Sequence, residues 1–343
     1  MLRSMLKRVS LPARRSPAGT GLPKRRFASY MSGIELPKVP LLRPTIWAIT
    51  TTAGIYIGCA TYNVYRDAQI VKRRGDWKED ELNTYADLEY VKERGSYTHH
   101  RPSHSHSAAQ KWFPTSQLSA ILQGHTDAEI LTLCASALNV GLVGASLLAT
   151  DAIQPFFYHV PAYGPNYTLL TSAFGHSGIF HAAVNTFALL QFAPEVARSH
   201  LFEGNGSHFA AFYLSAGIFS ALGHHFATIL PTRKYRILRL GPTSGASGVI
   251  TALVGAWATM NPDERIGILF IPGSFHVKDM MTFMVIFETF GLFIGIPGVH
   301  IAHATHLSGL AIGWAYAYFD GHKKIWYPTC ESAFLWMKRL SII

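Results

Sequence analysis

Three groups of residues in this 343-residue chain combine types and spacings that could carry chemistry. The first is Gly245-Ala246-Ser247-Gly248. A hydroxyl among such small neighbours is open to an approaching carbonyl. The unpaired N–H groups of a helix start can hold an anion, and so form part of an oxyanion hole. The second group is His306, followed by Gly309 and Gly313. A neutral imidazole beside a serine can take its proton during attack and return it to the leaving amine. The two glycines, four apart, make a smooth helix face that admits another helix at short range. The third group is His176, His181 and Asn185. His181 and Asn185 share one helical face, where side-chain donors could hold a developing oxyanion. His176 sits where the preceding loop enters that helix. Each group also has a plainer use, because small residues let helices approach and polar ones cap or cross-link them.

Other chemistries fit less well. Gly248 follows the serine directly, so the segment is not a GxSxG nucleophile elbow. His300, His303 and His306 are three apart, and His224 and His225 adjoin, but there is no HExxH and no carboxylate beside them to act as base. We therefore expect neither metal nor cofactor. No Asp or Glu is placed to orient His306. Glu288 is the only acid inside an apolar span, and it lies on a different one, so the spacing predicts a Ser/His dyad.

These residues sit at the starts of long apolar segments. Six segments follow one another, at about Ile130–Ala149, Ile179–Phe192, Phe209–Ile229, Ala246–Met260, Met280–Ile296 and His303–Phe319. Ser247, His306 and His181 open the fourth, sixth and second of them. Helices of alternating direction would bring those three starts to one side. A seventh apolar segment, Thr45–Val64, precedes the set; its twenty residues can cross a hydrocarbon core of roughly 30 Å. Polar groups at membrane depth are costly unless paired, which makes His181 and Ser247 candidate site residues. Asp151–Ser177, with three prolines and several aromatics, is expected to be a membrane-surface loop. Arg66–Asp127 is expected to be a solvated His/Ser-rich linker with a short helix near Lys78–Glu93. Its His99, His100, His104 and His106 read as an exposed tract. Residues 321–343 are expected to be a C-terminal tail.

Composition agrees with a membrane chain. Apolar residues make up 49 % and charged residues only 15 %, against a usual quarter. Three cysteines with no CxxC spacing give no disulfide framework or zinc-thiolate site. The formal net charge is +10, but eight basic residues fall between Met1 and Tyr30, with no acid before Glu35. That leader has no continuous apolar stretch and fits a mitochondrial transit peptide over 1–30, with cleavage near Arg25–Ser29. Nothing later in the chain looks like a nucleic-acid module.

Together the motifs resemble the rhomboid intramembrane serine proteases, most closely the mitochondrial inner-membrane branch. The resemblance covers about Ala128–Asp320. HxxxxHxxxN is met by His176, His181 and Asn185, GxSG by Gly245–Gly248, and HxxGxxxG by His306, Gly309 and Gly313. It implies an all-α polytopic membrane protein, with a six-helix core (128–320) preceded by one extra transmembrane helix within 31–65, a 1+6 arrangement. It also implies amide hydrolysis through an acyl-enzyme. Ser247 is the nucleophile and His306 the base; His181 and Asn185 are oxyanion donors, and His176 shapes the site. Two features depart from bacterial members. Thr251 stands where several have a Tyr that stacks on the catalytic His, and the Trp-Arg pair of their first loop is missing. The implied partners are transmembrane protein substrates and membrane lipids, and the 66–127 linker could recruit a further protein. Mitochondrial relatives process a dynamin-related fusion GTPase and a heme peroxidase or, in animals, a damage-reporting kinase. The alternative is a catalytically silent rhomboid-like protein that binds membrane clients; such relatives usually lack Ser or His of the dyad. A transporter would show inverted repeats, and none is visible. With a matrix N-terminus, seven crossings place the C-terminus in the intermembrane space. The starts of the second, fourth and sixth core helices then lie nearer the matrix. Arg233, Lys234, Arg236 and Arg239 agree with that orientation; the basic C-terminal residues do not.

Overall fold

The computed structural model describes residues 37–78, 80–98, 124–230, 239–268, 271–295 and 301–343. The leader, the His99–His106 tract, Arg233, Lys234, Arg236 and His300 lie outside the described residues. The described chain is mostly helical.

Helix α1 runs Leu42–Arg74, ten residues beyond the predicted Val64. The extension has a cause in the sequence. Ala60, Asn63, Val64, Asp67, Ala68 and Val71 recur at helical spacing, and all are buried. The helix stops at Gly75, whose φ of +78° suits a residue without Cβ, and the N–H groups of Gly75 and Asp76 close onto Lys72 and Val71. At 1.5 Å per residue α1 is about 50 Å long, well beyond a hydrocarbon core. Helix α2, Tyr85–Thr98, begins later than predicted because Asp87 accepts the N–H groups of Asn83 and Thr84 at 2.9 and 2.8 Å.

Helix α3, Asp127–Leu148, opens on a reciprocal capping box between Thr126 and Glu129. It is the one described helix whose length and apolarity alone meet the demand of a membrane crossing. The expected surface loop contains two short helices, α4 (Thr150–Phe157) and α5 (Thr168–Thr171). Then come α6 (Ile179–Arg198), α7 (Gly206–Ala227) and α8 (Ser247–Met260). A small antiparallel hairpin, β1 (Arg265–Ile268) with β2 (Ile271–His276), was not predicted; it joins α8 to α9 (Val277–Phe293). Helix α10 spans His303–Tyr318.

The predicted tail is not a tail. A π-helical turn at His322–Trp326 leads into α11, Tyr327–Arg339. Trp326, Cys330, Phe334 and Met337 lie on one helical face and are buried. Glu331 accepts the N–H of Tyr85 at 2.8 Å, and so caps α2 from across the chain.

Helix α7 is buried on nearly every side, between α1, α3, α8 and α10. Its direction relative to α1 follows from two contacts. The His225 ring donates to the Pro40 carbonyl at 2.6 Å at one end, and Asn205 donates to Asn63 at 3.0 Å at the other. The two helices are therefore antiparallel. Arg239 donates to the carbonyls of Ala227 and Leu292, tying the ends of α7 and α9 together. This arginine is a buried brace and not the surface charge counted in the orientation argument. The starts of α6, α8 and α10 converge at that same end.

Candidate active site

The chain reaches Ser247 along a segment held at three points. Thr243 and His159 exchange two backbone hydrogen bonds of 2.9 Å; Gly245 N–H donates to Ser172 at 2.8 Å, and Ala246 N–H to His176 Nε2 at 3.4 Å. Gly245 has φ +129°, and a Cβ there would lie 2.8 Å from the His181 ring and 3.3 Å from Asn185 Nδ2. Only glycine both turns the chain here and leaves room for the two side chains. The turn delivers Ser247, half-buried, to the first position of α8.

Helix α10 brings the base. His306 Nε2 lies 2.8 Å from Ser247 Oγ. The approach depends on contacts without side chains. A Cβ on Gly309 would sit 2.3 Å from the Gly248 carbonyl, and one on Gly313 only 1.8 Å from that of Ala252. Gly248 does the same for the other neighbours, since its Cβ would meet Ser220 and Thr305 below 3 Å. The small residues read from sequence thus set the separation of the hydroxyl and the imidazole.

Helix α6 supplies the third group. His181 Nδ1 pairs with Ser177 Oγ at 3.0 Å, which leaves Nε2 toward Gly245. Asn185 is buried, and its Nδ2 has no acceptor among the described residues. An unsatisfied buried donor asks for an explanation, and a transient anion is one. His176 is buried beside His181, their ring centres 5.2 Å apart. Burial, then the neighbouring His181, pulls its pKa down to about 4, so it is neutral and accepts from Ala246. Its carbonyl accepts the Tyr158 hydroxyl at 2.9 Å. A cleft beside Ser247 is walled by Ser172, Thr243, Ser244, Gly245 and Thr305.

A Rhomboid domain matches residues 164–323, a stretch that contains every candidate site residue. Residues 164–323 form a rhomboid-family domain. It is similar to the mitochondrial presenilin-associated rhomboid-like protein of Bos taurus, 32 % identical over 160 residues, which cover 46 % of this chain and 39 % of that one. The Homo sapiens counterpart is 31 % identical over 159 residues, covering 46 % and 38 %. RHOMBOID-like protein 9, chloroplastic, of Arabidopsis thaliana is 30 % identical over 182 residues, covering 53 % and 36 %. The chain spans about two-fifths of the length of these relatives. Helices α1 to α4 precede the rhomboid match, and α11 follows it.

One sequence expectation about this site does not hold. An acid does stand beside His306. Glu288, on α9, places Oε1 2.8 Å from His306 Nδ1 and Oε2 2.6 Å from His303 Nδ1. The sequence offered one signal, a lone carboxylate in an apolar helix, which is costly unless partnered. His303 and Glu288 were therefore missed as a pair. Thr251 does not take up the task of the missing tyrosine; its hydroxyl donates to Gly248 at 3.0 Å within its own helix. His224 and His225, weighed as metal ligands, tie helix ends to the Arg239 and Pro40 carbonyls.

Proposed function

We propose that this chain is an intramembrane serine endopeptidase of the mitochondrial inner membrane. The carrying observation is the 2.8 Å contact of His306 Nε2 with Ser247 Oγ at the starts of two closely packed helices. The rhomboid match and the mitochondrial relatives support the same reading.

Seven helices cross the bilayer in a 1+6 arrangement, α1 followed by a six-helix core of α3, α6, α7, α8, α9 and α10. Exposed apolar side chains such as Leu148, Phe180 and Phe283 face lipid. The N-terminus lies in the matrix and the C-terminus in the intermembrane space, so α2 and α11 form a cap on the latter side. The 66–127 segment is where a protein partner would dock.

The substrate is a membrane protein cut within or beside a transmembrane helix. Its carbonyls are paired, so it unwinds locally first, and helix-weakening Gly or Ser near the cut lowers that cost. Ser247 Oγ attacks the scissile carbonyl while its proton passes to His306 Nε2. The oxyanion is held by backbone N–H at the start of α8 with His181 and Asn185. The proton then moves to the amine nitrogen as the C–N bond breaks, the amine departs with that electron pair, and an ester on Ser247 remains. Water hydrolyses the ester by the reverse use of His306. By resemblance, a dynamin-related fusion GTPase and a heme peroxidase are the proposed substrates.

The test is the chain in liposomes with a fluorogenic helical transmembrane substrate. The unmodified protein cleaves it, and Ser247→Ala and His306→Ala each abolish cleavage. Turnover surviving Ser247→Ala removes the proposed nucleophile. Absence of cleavage by the unmodified chain across several helical substrates favours a client-binding role.

A further inference from the structure

A Ser/His dyad has no use for a buried carboxylate, yet the site holds one with two imidazoles on it. Glu288 is 5 % exposed and His303 7 %, so neither pairs with bulk water. An ionised carboxylate only accepts hydrogen bonds, so the ring nitrogens facing it must donate. His306 is thereby held as the Nδ1–H tautomer. Its Nε2 lone pair then points at Ser247 Oγ, the form a general base needs.

The second oxygen of Glu288 is not left free to rotate. His303 Nδ1 donates to it at 2.6 Å, and the His303 ring is fixed in turn. A Cβ on Gly291, one turn beyond Glu288, would lie 2.3–2.4 Å from three atoms of that ring. Phe287 meets the ring edge-on at 5.8 Å between centres. The absent side chain at Gly291 makes the berth for His303, and His303 clamps the carboxylate.

We propose that Glu288 is the positioning acid that completes Ser247 and His306 to a triad, with His303 holding its carboxylate in line. The inference rests on the protease reading above. Glu288 takes no proton in the cycle. The serine proton goes to Nε2 and on to the leaving amine, while Nδ1–H stays on the ring and on Glu288. The carboxylate holds the ring orientation and faces the positive charge that forms on it.

The experiment uses the full chain in lipid nanodiscs. Glu288→Gln presents an amide that can donate to Nδ1 and so favour the wrong tautomer. We expect kcat to fall at least about 100-fold with KM changed less than about twofold; for a soluble triad the comparable loss is about 10⁴. Glu288→Asp restores part of the loss, and Glu288→Gln adds nothing on top of His306→Ala. A separate measurement needs no turnover. Nitrogen-15 NMR of His306 in the Ser247→Ala chain shows Nδ1–H, and the Nε2–H form overturns the proposal even if Glu288→Gln does not fold. Activity of Glu288→Gln within about threefold of the unmodified chain also overturns it. An unmodified chain that cleaves nothing sinks the protease reading instead, and the tautomer measurement still judges Glu288.

Discussion

At the scale of single residues, the site separates groups that hold the fold from groups held ready. His176 is committed, since its ring accepts the Ala246 N–H that leads into Ser247. Asn185 is not, because its buried Nδ2 lacks an acceptor among the described residues. Removing that amide deletes no folded-state hydrogen bond from Nδ2, while an oxyanion donor is worth about 100-fold in kcat. Asn185→Ala should therefore lower kcat about 100-fold and shift stability by under about 1 kcal/mol. Steady-state cleavage and thermal unfolding of the same preparation check both halves. A large loss of stability with unchanged kcat would reassign Asn185 to structure. The residue types here were readable because the candidate groups at helix starts come with short, local spacings. Glu288 was not, because 18 residues and a change of helix separate it from His306, and only the rotation of α9 about its axis decides the contact.

At the scale of elements, the crossing of α8 and α10 is the positioning device. Gly248, Gly309 and Gly313 let two backbones meet where ordinary side chains would hold them apart. The Gly313 Cβ position is 1.8 Å from a backbone oxygen, which cannot swing aside as a side chain would. Gly313→Val is expected to cost about 1–3 kcal/mol of stability through overpacking. It should also abolish labelling of Ser247 by a serine-reactive fluorophosphonate, although residue 313 lies almost two turns from His306. Retained labelling in a folded variant would mean that the separation of hydroxyl and imidazole is set elsewhere. The glycines were legible as a packing face, but their partner was not, since a smooth face fits any helix. The C-terminal helix α11 was missed for a related reason. Its apolar residues recur at helical spacing, but the basic and polar residues between them lower the mean hydropathy of the segment.

At the scale of the whole molecule, the end that carries the site is laced together by neutral histidines. His159 joins the α4–α5 segment to Thr243 through its backbone and to His225 through its ring at 3.0 Å. Burial, then His225, lowers its pKa to about 3, as burial and His181 lower that of His176 to about 4. Both rings fold in the neutral form, whereas the unfolded chain protonates them near 6.5. Stability from these groups is complete above about 6.5 and declines as the pH falls toward about 4 for His176 and about 3 for His159, because the unfolded state binds the extra protons. Unfolding in nanodiscs should thus occur at lower temperature at pH 5 than at pH 7.5, and His176→Asn should flatten that dependence. An unchanged slope in the variant would show that His176 is charged or exposed in the folded protein.

The sequence by itself determined the apolar segments, their order and the residue types at their starts. Helical periodicity and local hydrogen bonding act over four residues and leave their mark in any stretch of chain. It also carried the three rhomboid motifs, each complete within about ten residues. Tertiary structure alone decided which helix faces meet. It turned Glu288 and His303 onto His306, drew Arg239 inside as a brace, and folded the final residues back onto α1 and α2. Those contacts join residues on different elements, and their geometry depends on how whole helices rotate and cross to bury their faces, which no local spacing encodes.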